Sequence, residues 1–217
     1  MKSKLIAVAL FVATAFNAQA QETTTTVTAS NVKPTAGNVT TEVLFNDLGN
    51  ISLNNGLLRA RYFTSDQFAY RLSLGVNYNY DKIADDAHSR VFGISLAPGI
   101  EKHFAGTNRL SPYIGAELPI RMQSAKTETE NSTITGATST NGANRGYFSV
   151  GLNAVAGVDF YFAKNFYAGV ELGTGLAYFK NADIEVESPG FDNKTEGFHS
   201  IRFGQFVNGG IRVGYVF

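Results

Sequence analysis

Three histidines and a complete absence of cysteine limit the chemistry open to this 217-residue sequence. His103 stands two positions after Glu101, a spacing that puts both on one face of a strand. His88 lies beside Asp85 and Asp86, and His199 is adjacent to Ser200. That last pair has the residue types of a base and a nucleophile, but strand neighbours point to opposite faces and cannot serve one another. The acidic stretches "DKIADD" and "NADIEVESPGFDN" carry oxygen ligands of the kind calcium takes, yet a solvated loop accounts for them equally well. The sequence therefore predicts no catalytic residue, no metal site and no cofactor, and the histidines are expected to be interfacial or structural. The ions are more telling. Arg59, Arg61, Arg71, Arg121, Arg202 and Arg212 share one strand face with Glu42, Glu101, Glu117, Asp159 and Glu171, which predicts a network of opposed charges.

The elements that position these residues show in the period-2 alternation that dominates from Val39 onward, with no helical period to compete. In Tyr147 to Phe162, the even positions Phe148, Val150, Leu152, Ala154, Ala156, Val158, Phe160 and Phe162 are apolar. The odd ones include Ser149, Gly151, Asn153, Gly157 and Asp159. The same scheme runs through Phe68 to Tyr80, Phe92 to Phe104, the stretch "PYIGAELPIRM", Phe166 to Phe179 and Phe198 to Phe217. Two more strands fit into residues 39–63. Parity slips there, so the hairpin turns either at 46–50 ("NDLGN") or at 54–56 ("NNG"); the first is favoured, with "NNG" as a bulge. The total is eight strands.

The ends and the composition agree with an exported β protein. "MKSKLIAVALFVATAFNAQA" has a positive n-region, an apolar core too short to span a bilayer and an Ala-Gln-Ala cleavage site, so residues 1–20 read as a cleaved signal peptide. Removing Lys2 and Lys4 leaves a net charge near −2, with no basic excess to attract nucleic acid. Without cysteine there are no disulfides and no cysteine-borne lipid anchor. Residues 21–38 are threonine-rich and read as a flexible periplasmic leader, followed by one domain over residues 39–217. The loop 127–145 is low-complexity and expected to be mobile.

Eight alternating strands also suit a soluble barrel with its apolar face turned inward around a ligand. Three features favour an apolar face turned to lipid. Aromatics recur twelve positions apart at both ends of the apolar stripes: Phe68 and Tyr80, Phe92 and Phe104, Phe148 and Phe160, Phe166 and Tyr178, Phe203 and Tyr215. Twelve residues cover roughly 40 Å of strand. Tilt reduces this to about 30 Å along the axis, which spans an apolar band of about 25 Å and its aromatic girdles. The opposite face is crowded with glycine, which suits a narrow interior and serves no purpose on a solvated surface. That same face carries the charges of both signs. Short connections ("TSDQ", "AGTNRLS", "AKN") alternate with long polar ones, as periplasmic turns alternate with outer loops, and both termini fall on the side of the short turns.

The closing strand, with Ile211, Val213, Tyr215 and Phe217 alternating to an aromatic end, resembles the small OmpA/OmpX-like outer membrane β-barrel proteins of Gram-negative bacteria. The stretch "LLRARYFTSDQFAYRLSLGV", residues 57–76, is similar to a hairpin of that group. The resemblance covers most of residues 39–217. It implies an all-β, eight-stranded antiparallel up-and-down transmembrane β-barrel in the outer membrane with periplasmic termini. It also implies that the terminal motif is the signal read by the barrel assembly machinery. Outer membrane lipid and lipopolysaccharide are the expected surroundings, and a monomer the expected state. The group includes lipid-modifying enzymes, but the His-x-Ser pattern of the outer-membrane deacylases is missing. The leading expectation is a non-enzymatic barrel with a filled lumen, acting structurally or through its outer loops. A narrow small-solute pore is the alternative, and a lipid-modifying enzyme ranks below both.

Overall fold

Side chains that alternate between apolar and small or charged require strands with two unlike surroundings. The computed structural model describes residues 32–45 and 53–217, excepting the side chains at 44–45, 53–57 and 205–211, and is built of such strands. In chain order they are β1 (Val39–Phe45), β2 (Leu53–Ser65), β3 (Phe68–Ala84), β4 (Ala87–His103), β5 (Leu110–Glu117), β6 (Ile120–Thr129), β7 (Ser132–Thr135), β8 (Tyr147–Ala163), β9 (Phe166–Asn181), β10 (Ile184–Ser188), β11 (Phe191–Thr195) and β12 (His199–Val216). Strands β1 to β4 pair in sequence. One half of β4 then pairs with β5 and the other with β6, and both of these pair with β8. Strand β9 follows β8, β12 follows β9, and β12 returns to β1 with Thr40 opposite Val216. Every junction is antiparallel, so the wall is a closed ring of eight positions with no free edge of its own.

Strands β5 and β6 share one of those positions. The break lies at Leu118 and Pro119, because proline has no N–H for the ladder. Pairing resumes at once: the Leu118 N–H donates to the Pro98 carbonyl at 2.8 Å, and the Gly151 N–H donates to Pro119 at 2.9 Å. Alternation survives the break, with Glu117 and Pro119 buried and Leu118 exposed. The first hairpin has β1 ending at Phe45 and β2 starting at Leu53. Val43 faces Leu58 while Phe45 faces Leu53, so residues 54–57 form the irregularity and the turn lies before them. Residues 46–50, like the signal peptide at 1–20, fall outside the described residues.

Two segments depart from expectation. The leader was expected to be flexible through residue 38, yet residues 32–38 are docked on the barrel. Val32 packs on the buried Tyr161, Tyr167 and Val216. The Gly37 N–H donates to the Phe63 carbonyl at 2.8 Å, and the Asn38 amide donates to that of Phe217 at 2.9 Å. Val32 and the buried Pro34 supply apolar contact that the preceding threonines lack. The loop at 127–145, expected to be mobile, is folded as well. Strand β6 runs on to Thr129, β7 folds back on it, β10 pairs with β7 and β11 with β10, giving a sheet that continues past the ring. Ala137 and Ile184 are buried beside it. Polar composition concealed this because the strands gain their order from backbone pairing with a segment some fifty residues away in sequence.

The apolar stripes lie on the outside. Leu152, Val170 and Leu176 are 62%, 51% and 50% exposed, whereas Ser149, Asp159 and Glu171 on the opposite parity are 2%, 0% and 3% exposed. An inverted arrangement of this kind is stable only when the outer surface meets lipid.

Candidate functional site

The inward face brings together at least one charged group from every position of the ring, and two from β2. Arg61 on β2 reaches Asp159 on β8 at 2.7 Å and Glu101 on β4 at 3.2 Å. Arg71 on β3 binds Glu171 on β9 at 2.8 Å, Glu101 at 2.9 Å and Glu117 on β5 at 3.0 Å. Arg212 on β12 spans Asp159 at 2.9 Å and Glu42 on β1 at 3.1 Å, and Arg59 closes the set on Glu42 at 2.7 Å and Glu171 at 3.3 Å. Four guanidinium groups thus share five carboxylates, and most of these side chains are wholly shielded from solvent. Such groups pay a large desolvation cost unless each is hydrogen-bonded from several sides. The Tyr113 hydroxyl donates to Glu171 at 2.6 Å and the Tyr167 hydroxyl to Glu42 at 2.9 Å. The Arg61 guanidinium also lies over the Tyr167 ring, 4.9 Å from its centroid.

Glycine makes the room. Arg71 stands opposite Gly99, Glu101 opposite Gly115, Tyr113 opposite Gly157, Asp159 opposite Gly169 and Tyr167 opposite Gly214. Each large inward side chain therefore crosses over a neighbour that has none. A Cβ on Gly157 would fall 2.5 Å from the Tyr113 ring, and one on Gly169 would fall 2.7 Å from the Arg212 guanidinium. The abundance of glycine in one face and the size of the residues beside it are one feature, set by the narrow bore of an eight-stranded barrel.

Of the ten residues predicted for the lumen network, the structure brings together Arg59, Arg61, Arg71, Glu101, Glu117, Asp159, Glu171 and Arg212, with Glu42. It does not include Arg121 or Arg202. Both point inward at the end where β6 and β12 rise toward the long loops, above the level of the carboxylates. Arg202 stacks on Phe179, 4.6 Å from the ring centroid, and Arg121 makes no hydrogen bond or ion pair with any described residue. They line a cavity of about 370 Å³ whose walls include Arg59, Ser73, Glu117 and Asn153.

His103 joins the plug from its short-turn end. Its Nε2 is 3.0 Å from Glu101 and its Nδ1 is 3.0 Å from the Ser111 hydroxyl, while its ring packs against Phe63 and Tyr113. This chain of serine, histidine and acid has the connectivity of a nucleophile relay, but Ser111 is only 5% exposed and Glu101 is committed to two arginines. Ser111 escaped the sequence reading because a turn separates it from His103. The two tyrosines escaped it for want of a register, which would have placed each against its glycine. His88 sits outside on Tyr80 and binds Glu128 at 2.9 Å, and His199 stacks on Tyr178; neither approaches a nucleophile.

The predicted girdle residues are outward and form two levels. At the short-turn end are Phe68, Phe104, Phe160, Phe166 and Tyr215; at the long-loop end are Tyr80, Phe92, Phe148, Tyr178 and Phe203. The terminal motif extends the first level: Tyr215 meets Phe166 edge-on at 5.0 Å and Phe217 at 4.8 Å. Val213 is partly buried on the same face, and the Ile211 side chain lies outside the described residues. In the sheet beyond the ring, hydrogen bonds from Lys194 and from the Gly197 N–H hold the Asp183 carboxyl below its ordinary range. Asp183 and Glu185 in turn raise Lys194. Among the described residues, no cluster of His, Asp and Glu has metal-site geometry, and no helix is long and apolar enough to cross a membrane.

Comparison with known proteins places this geometry. The N-terminal β-barrel domain of Pseudomonas aeruginosa OprF is similar at 18% identity and a TM-score of 0.38, over 85% of this chain and 100% of that one. Ail, the attachment invasion locus protein of Yersinia pestis, is similar at 14% identity and a TM-score of 0.42, over 84% of this chain and 99% of that one. No curated protein matches the sequence. The model of the OmpA-OmpF-like porin family matches residues 78–217, and with that match the closed ring, the outward apolar face and the girdles have their setting: the chain belongs to the OmpA-OmpF-like porin family of outer membrane β-barrels.

Proposed function

We propose that this protein is a non-enzymatic, non-conducting outer membrane barrel whose role is structural or is exercised through its outer loops. The observation that carries this reading is the ionic plug, in which Arg61, Arg71 and Arg212 cross the bore and leave their side chains 0–1% exposed. A water path would need those groups to be hydrated, and each is already enclosed by two or three partners. The closed bore also argues against an enzyme, since the serine–histidine–glutamate chain offers no entry to a lipid. Among the described residues, those free to meet a partner include the sheet formed by β6, β7, β10 and β11, where Phe191 is 59% exposed, and Phe198 between β11 and β12, 53% exposed. On this reading both termini lie in the periplasm, the long loops face outward among lipopolysaccharide, and the motif ending at Phe217 is presented to the barrel assembly machinery.

Single-channel recording of the folded chain in a planar bilayer tests the proposal, with insertion verified by protease protection. A silent or briefly flickering trace is expected. Steady conductance would replace the plug with a narrow small-solute pore, the reading that the interior charges would then favour.

A further inference from the structure

We infer that the outer half of the lumen is a closed-bottomed binding site for a small multivalent anion, taken from the external solution. The inference goes beyond a structural or loop-mediated role and rests only on the barrel's being plugged below. Its walls are inward residues of several strands around a cavity of about 370 Å³, room for a compact solute and too little for a polymer or a lipid. Its described charged lining comprises Arg59, Arg121 and Arg202 with Glu117 as the one acid. Glu117 is held by Arg71 at 3.0 Å and by the Asn153 amide at 2.9 Å, and Arg59 is held by Glu42. The charges of the floor are therefore paired, whereas those of the two arginines above it have no carboxylate partner among the described residues.

That contrast is the basis of the inference. Below the floor every guanidinium is matched by carboxylates; above it, among the described residues, Arg121 has no hydrogen-bonding partner and Arg202 has only the face of Phe179. Nothing in a structural role requires two cations to point into the same cup with no counter-charge among the described residues. A planar guanidinium presents paired N–H donors that match phosphoryl or carboxylate oxygens, and two of them with a shared positive field select a ligand with more than one negative charge. Ser95 stands opposite Arg121 and adds a hydroxyl at that level, while Ser73 and Asn153 belong to the floor, bound to Arg59 and Glu117. Both arginines are exposed to the solvent in the cup, which leaves them open to a ligand from outside and makes their attraction depend on ionic strength.

The test uses inorganic pyrophosphate as probe, with citrate in a parallel titration to separate phosphoryl from carboxylate preference. Isothermal calorimetry on the folded barrel in detergent should show saturable one-to-one binding of at least one of the two, weakening as salt is added. Replacing both cup arginines (Arg121→Gln with Arg202→Gln) should reduce affinity by about tenfold or more, whereas Arg90→Gln on the outer face should leave it unchanged. Should the double variant fail to show the heat-dependent gel shift of a folded barrel, Arg121→Gln alone decides, because its side chain supports no other described residue. Absence of saturable binding by either anion, or equal binding after loss of the arginines, overturns the inference. Conductance tests the plug and calorimetry tests the cup, so a failure of one is distinguishable from a failure of the other.

Discussion

At the scale of the residue, the lumen is governed by satisfaction of charge. Asp159 illustrates it: one carboxylate accepts from Arg61 at 2.7 Å and from Arg212 at 2.9 Å, with no exposure to solvent. Replacing one partner of a buried pair leaves the other charged and unmet, at a cost of about 3–5 kcal/mol. Asp159→Asn keeps the shape and removes the charge, so the variant should unfold from vesicles at lower urea by that amount. A change within about 1 kcal/mol would show that the surrounding carboxylates absorb the loss. The network was legible in the sequence to the extent that opposite charges shared a parity. Arg121 and Arg202 share that parity too, but stand above the carboxylates, and height along the bore is a property of the stagger between strands that alternation does not encode.

Among the elements, the wall strands and the outer sheet are held by different forces. Wall strands are paired on both sides and carry apolar residues outward, so their order is tied to the lipid and to closure of the ring. Strands β10 and β11 gain little from burial; β11 is exposed along its whole length. Their hairpin is supported by Lys194 bound to Asp183 at 2.8 Å and to Glu185 at 2.9 Å. Asp183 is lowered in the folded state, chiefly by the hydrogen bond from Lys194 and then by that from the Gly197 N–H. Its contribution is therefore complete above the unfolded carboxylate pKa and disappears as pH falls through the lower folded value. Lys194 is raised, so its contribution is already present at neutral pH and is lost only as pH rises through its elevated value. Nuclear Overhauser contacts between Val186 and Asn193 should persist at neutral pH and fade on acidification below the ordinary carboxylate range, with wall contacts such as Leu152 to Leu176 unchanged. Simultaneous loss of both sets would mean that the outer sheet and the barrel melt as one unit.

For the whole molecule, what matters is which side faces lipid. Leu152 is outward and exposed, four residues from the girdle residue Phe148 on the same strand, and Asn153 beside it turns inward to donate to Glu117. Arginine at Leu152 should cost about 2–4 kcal/mol in a bilayer. At Asn153 an arginine would crowd the cup and remove the Glu117 hydrogen bond, so its cost should be the same in detergent as in lipid. Unfolding both variants in the two media checks the assignment; a lipid-dependent penalty at Asn153 instead of Leu152 would turn the barrel inside out.

The sequence by itself determined the eight wall positions of the ring, their two faces and the membrane setting, because these follow from local alternation and from the spacing of aromatics along single strands. It recorded the slip in parity near "NNG" but left the first turn open between 46–50 and 54–56, favouring the bulge that the register of β1 with β2 then showed. Only the tertiary structure decided which arginine meets which carboxylate, why Tyr113 and Tyr167 need glycine opposite them, and that Ser111 lies against His103. It alone docked residues 32–38 on the barrel and folded the polar loop at 127–145 into a sheet. These are relations between segments far apart in sequence, fixed by register and ring closure, and period-2 patterning is unchanged when a strand slides two residues past its neighbour.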